Sequence, residues 1–89
     1  VPNSYSLSQN YPNPFNPVTM IDFALPASSN VVLKVFNTLG KEVATIYSGY
    51  LGAGRYNIDF NASDLSSGVY FYTLSAGDFI GTKKMILVK

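Results

Sequence analysis

The sequence predicts an all-β fold, an immunoglobulin-like antiparallel β-sandwich of about seven strands. Apolar residues alternate with period two along most of the chain, which is typical of strands that bury one face. Clusters of Gly, Asn, Asp and Ser separate the alternating runs, and no long segment has apolar residues at helical spacing. The chain has 89 residues, 47% of them hydrophobic, which predicts one small domain over residues 1–89.

The first half of the chain predicts four strands. Residues 1–9 combine the end of an upstream linker with a short strand at Tyr5 to Gln9, and a second strand begins near Val18. The residues that share one face in the second strand and in the third, "VVLKVFN", are Ile21, Phe23, Leu25, Val31, Leu33 and Val35. The fourth, "KEVATIYSG", alternates imperfectly through Val43 and Ile46, which indicates a β-bulge or an edge strand.

The second half predicts three further strands, "RYNIDFN", "GVYFYTL" and "FIGTKKMILVK". The residues that share one face in each of them are Tyr56, Ile58 and Phe60, then Tyr70, Tyr72 and Leu74, then Met85 and Leu87. On the last strand, Ile86 and Val88 fall on the opposite side. Seven short strands without a helix favour two packed sheets.

The connections carry recognisable turn chemistry. "NTLG", which ends at Gly40, and "SAGD", which contains Gly77, predict hairpins in which these glycines take positive φ. "LPASSN" predicts a connection between strands of different sheets, and the glycines of "SGYLGAG" predict a looser loop. "NASDLSSG" is compatible with a single helical turn capped by Ser63 or Asp64.

The segment "NYPNPFNP" concentrates three prolines within eight residues. Proline fixes φ and lacks an amide donor, so the segment predicts an extended, polyproline-like or edge ribbon that enters the strand at Val18. Its structural motif consists of Tyr11, Pro12, Asn13, Pro14 and Phe15. We expect the rings of Tyr11 and Phe15 to cover one end of the sandwich, while the side chains of Asn10, Asn13 and Asn16 cap turn amides. A docking motif is the alternative interpretation.

"LSSGVY" is typical of the tyrosine corner of immunoglobulin-like domains. In such a corner the hydroxyl of Tyr70 would bond to upstream backbone, and Leu65 would fill the same end of the core. The interpretation is structural, with a functional contact as the alternative.

Composition excludes several classes of function. A net charge of +1, with no block of like charge longer than Lys83-Lys84, argues against nucleic-acid binding. The absence of Cys and His removes disulfides, thiolate metal sites and the common nucleophile–base pairs. No apolar run is long enough for membrane insertion. The sequence therefore predicts a non-enzymatic domain without a cofactor.

Two weaker binding patterns remain. Asp59, Asn61 and Asp64 would approach one another around a loop and provide oxygen ligands for Ca²⁺, although their spacing matches no calcium loop, so solvated turn residues are the preferred interpretation. Exposed rings could stack on sugars, and the candidates are Phe36, Tyr47, Tyr50 and Phe71. The preferred interpretation is that Phe36 and Phe71 are cross-strand partners within one sheet.

Four separated motifs, taken together, resemble a known family. "QNYPNPFNPVTMIDFALP", "VLKVFNTLGKEVATI", "AGRYNIDFNASDLSSGVYFYTL" and "GDFIGTKKMILVK" resemble, in this order, the type A C-terminal sorting domain of the bacterial type IX (Por) secretion system. The resemblance covers the chain from about Ser8 to Lys89. The same family is similar to the immunoglobulin-like domain of the flagellar hook-capping protein, which agrees with the predicted sandwich.

The resemblance implies a non-catalytic tail that takes an upstream cargo domain through the periplasm to the cell surface or medium. The implied partners are the outer-membrane translocon and a sortase-like peptidase. The recognition residues implied in the last strands are Gly68, Val69, Tyr70, Lys83, Lys84, Met85, Leu87 and Lys89. The chain lacks an initiator Met, so we expect a piece of a longer protein. A carbohydrate- or surface-binding module and a structural spacer are the alternative functions.

The last strand carries its own signal of function. An unpaired edge at Met85 to Val88 would be prone to aggregation, and Lys83, Lys84 and Lys89 resemble charges that guard such an edge. One interpretation is that the strand is simply paired and its lysines are solvated. The other is that a receptor reads the edge by strand addition.

Overall fold

The computed structural model describes all 89 residues and contains seven strands and no helix. The strands are β1 (Ser6–Leu7), β2 (Val18–Leu25), β3 (Ser29–Phe36), β4 (Glu42–Leu51), β5 (Gly54–Asn61), β6 (Gly68–Ala76) and β7 (Phe79–Leu87). They form two antiparallel sheets with the orders β1-β2-β5 and β4-β3-β6-β7. The predicted seven-stranded sandwich is confirmed. Its fourth strand pairs with the third, whereas constant-type immunoglobulin domains place that strand beside the fifth.

The alternating apolar residues form the core between the two sheets. The side chains that are almost fully buried there include Ile21, Phe23, Leu25, Val31, Leu33, Val35, Tyr72, Leu74, Met85 and Leu87. All ten were predicted to lie on one face of their strand. Full burial of such a side chain contributes about 1.5–3 kcal/mol, so this face pattern fixes the register of each strand.

The hairpin predictions are confirmed. Gly40 closes the β3–β4 turn with φ of 81°, and the side chain of Asn37 accepts hydrogen bonds from the amides of Leu39 and Lys41. Gly77 starts the two-residue β6–β7 turn with φ of 57°, which favours glycine at that position. As predicted, "LPASSN" connects the two sheets, because β2 and β3 belong to different ones.

Two predictions about connections are wrong. The residues Ser48 to Leu51 belong to β4, since they pair with β3, and only two residues separate β4 from β5. Here the backbone hydrogen bonds of the sheet outweigh the flexibility of glycine. The segment before Gly68 forms a non-helical turn in which the side chain of Asn61, rather than Ser63 or Asp64, accepts a backbone amide.

The predicted irregularity of the fourth strand is confirmed. β4 lies at the edge of its sheet, and its register against β3 shifts twice, after Leu33 and after Val35. Such bulges bend an edge and make it a poor template for further strands. The opposite edge of the same sheet is the C-terminal strand β7, which has no register shift.

Candidate functional site

The C-terminal strand β7 is an edge strand with two different faces. It pairs with β6 along its whole length, in the register Gly68 opposite Leu87 to Ala76 opposite Phe79. Met85 and Leu87 point into the core, and Ile86 and Val88 point to the outer face, as predicted. In an antiparallel pair, alternate residues turn their N–H and C=O groups away from the neighbouring strand. On β7 the residues of even number therefore present the free edge.

The proline-rich segment crosses from one sheet to the other. Tyr11 pairs with Met20 beside the three-stranded sheet through two backbone hydrogen bonds. The Tyr11 nitrogen lies 3.0 Å from the Met20 oxygen, and the Met20 nitrogen lies 2.9 Å from the Tyr11 oxygen. Phe15 forms a parallel bridge with Leu87 in the four-stranded sheet. The peptide bonds that precede its three prolines are cis. The predicted polyproline-like ribbon is wrong, because the chain must turn across the gap between the sheets, whereas its edge position and its entry into the strand at Val18 are confirmed.

The two rings of this segment have different surroundings. Phe15 is 2% exposed and lies in the core, with its ring centroid 6.5 Å from that of Phe60. Tyr11 is 75% exposed, so the prediction that it covers the core is wrong. Of the two rings, only that of Phe15 packs into the core. Tyr11 contributes through its backbone pairing instead.

The segment occupies the final part of the β7 edge. The Phe15 amide donates to the Ile86 carbonyl at 3.0 Å, and the Val88 amide donates to the Phe15 carbonyl at 2.9 Å. The side-chain oxygen of Asn13 accepts the Ile86 amide at 2.9 Å, so Asn13 caps a strand amide rather than the predicted turn amide. The interpretation that the strand is paired at Met85 to Val88 is therefore confirmed.

One contact extends this cover further along the strand. The Gln9 side-chain nitrogen donates to the Lys84 carbonyl at 2.6 Å. Toward the start of the strand, from Phe79 to the Lys84 amide, no hydrogen bond reaches the free edge of β7. The Thr82 hydroxyl contacts the Thr73 hydroxyl on the neighbouring strand β6. The edge is thus capped from the Lys84 carbonyl onward and free of hydrogen bonds before it, where Leu7 of β1 packs close to Gly81 on the inner face.

Residues 9–15, which cap this edge, are called the capping segment, and a buried polar cluster anchors them to the core. The Tyr72 hydroxyl donates to the Ser8 carbonyl at 2.6 Å and accepts the Asn10 amide at 2.7 Å. The Asn10 side chain donates to the Thr19 hydroxyl, and that hydroxyl donates to the Pro12 carbonyl. Burial raises the pKa of Tyr72 to about 12, since it disfavours the phenolate, although the hydrogen bond from Asn10 acts in the opposite direction.

The sequence analysis did not find this cluster. Thr19 and Asn10 are fully or almost fully buried, whereas polar residues of these types are mostly exposed. A signal was available, because Thr19 shares the inward face of β2 with Ile21. No local pattern reveals Tyr72, the partner of the Asn10 amide, which lies on another strand far along the chain.

The lysines of the last strand differ in orientation. Lys83 stands opposite the inward-facing Tyr72, whereas Lys84 stands opposite Phe71 on the outer face, and both side chains are exposed. The chain contains one ion pair, between Lys34 and Glu42 at 3.1 Å, so neither lysine has a carboxylate partner. Lys89 instead contacts the loop before β6: its amide donates to the Ser67 hydroxyl and its ammonium donates to the Ser63 carbonyl.

The implied recognition residues separate into a buried and an exposed group. The side chains of Tyr70, Met85 and Leu87 are at most 8% exposed. The exposed or half-exposed members are Gly68, Val69, Lys83, Lys84 and Lys89. The Tyr70 hydroxyl donates to the Ser66 carbonyl at 2.7 Å, which is the bond that a tyrosine corner requires. Only the exposed group can meet a partner while the domain remains folded.

The other candidate ligand sites are less developed. Phe36 and Phe71 face each other across β3 and β6, as the cross-strand interpretation predicts, and both are half-buried. A shallow cavity of about 400 Å³ lies elsewhere, against β1, β2 and β5, and includes Asp22 and Arg55.

No three acidic residues approach one another closely enough to hold a metal ion. No helix of the chain is long and apolar enough to cross a membrane.

Comparison with known proteins gives one result. Residues 9–89 match the family model described as the secretion system C-terminal sorting domain. The comparisons with curated proteins and with solved structures give no match. The matched range includes the capping segment and every strand except β1.

Proposed function

The chain belongs to the family of secretion system C-terminal sorting domains, and we propose that the exposed part of its last strand is what the secretion machinery recognises. A domain of this family directs its cargo through the type IX secretion system to the cell surface or the medium. The observation that supports our proposal is the open edge of β7 before Lys84, beside a capped edge after it.

In this proposal the recognition residues have two roles. Lys83, Lys84 and Lys89 are exposed and contact the translocon, together with the surface around Gly68 and Val69. The role of the buried side chains, Tyr70, Met85 and Leu87, is indirect, because they hold the strand against the core and fix its register. Loss of a buried residue would therefore impair recognition through loss of structure.

The remaining elements of the proposal concern the whole protein. The upstream cargo carries any catalytic or adhesive activity, and this domain has none of its own. A sortase-like peptidase removes the domain after export. Cleavage would have to occur outside the folded sandwich or after it opens, because loops that are hydrogen-bonded and packed resist proteolysis.

An export assay tests the function. Residues 1–89 are fused to a periplasm-targeted reporter in a bacterium that has the type IX machinery, and the reporter is measured in the medium and at the cell surface. We expect export with the tail, and retention in the periplasm without it. The same fusion in a strain that lacks the translocon is the matched control. Retention of the fused reporter in the competent strain, despite a folded tail, would contradict the proposal.

A further inference from the structure

The open part of the β7 edge has a chemistry that restricts its partner. We propose that residues Phe79 to Lys84 pair with an extended segment of a partner protein that carries carboxylates beside Lys83 and Lys84 and an apolar side chain beside Ile80. This inference rests on the proposed recognition of the last strand and adds the partner's chemistry to it.

The backbone of this stretch is available for a new strand. Ile80 and Thr82 turn their N–H and C=O groups away from β6, and no protein group accepts or donates there. The open stretch of six residues is about 20 Å long at 3.3 Å per residue, which is the length of a typical strand. Past Lys84 an incoming strand would meet the contacts of Gln9 and Asn13. The capping segment therefore fixes where added pairing must stop.

The charges of this stretch have no partner within the chain. Lys83 lies on the core-facing side of the edge strand, which is a common way to discourage pairing with other strands. A strand added here would cover Lys83 and remove part of its hydration, at a cost in free energy. A carboxylate at the facing position offsets that cost, whereas a neutral or basic side chain does not. The lysine therefore selects among incoming strands.

The same charges argue against a second copy of this chain. Antiparallel pairing of two copies over this stretch, centred on Thr82, would place Lys84 of one copy opposite Ile80 of the other and Lys83 opposite Gly81. Neither ammonium group would then meet a carboxylate, so the cost of covering the lysines would not be offset. The bulged edge of β4 offers no better template. A different protein with acidic residues is the occupant that the edge favours.

The other end of the open stretch is apolar. Ile80 is 71% exposed on the outer face. On the inner face, the Phe79 ring stacks on Tyr5, with centroids 5.5 Å apart, and covers the backbone of Gly81. The partner segment therefore meets apolar surface at its one end and two ammonium groups at the other. This polarity also fixes the register of pairing.

Peptide binding tests the chemistry directly. The probe is a seven-residue extended peptide with two adjacent glutamates followed by threonine and valines, and the control probe has glutamine in place of both glutamates. Amide exchange of the isotopically labelled 89-residue chain is followed by NMR. We expect the glutamate peptide to protect the Ile80 and Thr82 amides and to bind about tenfold more tightly than the glutamine peptide. Equal binding of the two peptides, or protection elsewhere, would overturn the proposal.

Two variants test whether the same stretch of β7 is needed for export of the fused reporter. Lys83→Glu reverses the charge, and Thr82→Pro removes an outward amide that the β6–β7 ladder does not use, so both should fold. We expect each to lower export of the fused reporter about tenfold, whereas Lys41→Glu, in the distant β3–β4 turn, leaves export unchanged. If the wild-type tail exports its reporter and both folded variants do so equally well, this inference fails and the proposed function stands. If the wild-type tail itself fails, the proposed function is wrong.

Discussion

The two halves of β7 belong to one strand, yet they have opposite surroundings. From Met85 to Leu87 the inward side chains are buried and the edge is covered by Asn13 and Phe15. From Phe79 to Lys84 the side chains are more exposed, and the free edge has no hydrogen bond before the Lys84 carbonyl. The difference shows that the chain can stabilise a terminal strand and still leave part of it exposed to a partner protein. The second half of β7 contributes stability, and the first half remains accessible to a partner.

The largest expected effect concerns the capped half. Phe15→Ala removes a buried ring that closes the core and should reduce the free energy of unfolding by about 3–5 kcal/mol. Urea unfolding followed by circular dichroism measures it. Tyr11→Ala is the matched control, because Tyr11 is exposed, and its effect should stay within about 0.5 kcal/mol. Similar losses of unfolding free energy in the two variants would contradict the assignment of Phe15 to the core and of Tyr11 to the surface.

A second effect depends on pH and on the anchor of the cap. The pKa of Tyr72 is about 12 in the folded chain, while an unfolded tyrosine ionises near 10. Between these values the unfolded chain releases a proton that the folded chain keeps, so stability falls as pH rises from about 10 to 12, by at most about 2–3 kcal/mol. Below pH 10 this contribution is fully present.

The corresponding measurement compares unfolding free energies of wild type and Tyr72→Phe across that range. The phenylalanine variant should be less stable at neutral pH, because it leaves the Ser8 carbonyl and Asn10 amide without their buried partner. Its stability should then decline less steeply toward pH 12. If the unfolding free energies of the two proteins fall in parallel as pH rises, the ionisation of Tyr72 is not the cause of the loss of stability at alkaline pH.

A smaller effect is expected next to the capped half, at the tyrosine corner. Tyr70→Phe removes one hydrogen bond to the Ser66 carbonyl while the ring remains, and it should cost about 0.5–1.5 kcal/mol. Thermal unfolding provides the test. An unchanged melting curve would argue against a stabilising corner.

The smallest effect on stability belongs to the open half. Lys83→Gln removes an exposed charge without an ion-pair partner, so the free energy of unfolding should change by less than about 0.5 kcal/mol. Its consequence should appear in export of the fused reporter instead. A large loss of stability in Lys83→Gln would show that the first half of β7 also contributes to the stability of the fold.

Local patterns predicted most of the fold. Alternation located β2, β3, β5, β6 and β7, because the burial of one face requires period two. Gly40 and Gly77 marked their turns, because both take positive φ. The same alternation contained an unused signal: Met85 and Leu87 face inward, so Lys83, two residues earlier, must face inward as well.

The failures have a common physical origin in long-range contacts. Ser48 to Leu51 is a strand because β3 pairs with it, although glycines weaken its local preference. The path of the proline-rich segment depends on Tyr72, Ile86 and Leu87, which come much later in the chain. A pattern within a few residues contains no information about such partners. The open edge before Lys84 could be located only after the cap was known.

The parallel bridge between Phe15 and Leu87 has a mechanical consequence. Parallel neighbours run in the same direction, so tension applied to the chain before Phe15 and after Leu87 pulls the two segments past each other. The two backbone hydrogen bonds and the Asn13 contact then bear force together, in shear, instead of opening one after another. If tension acts on both sides of the bridge, this junction must break before the four-stranded sheet can be pulled open, so it serves the sheet as a mechanical clamp.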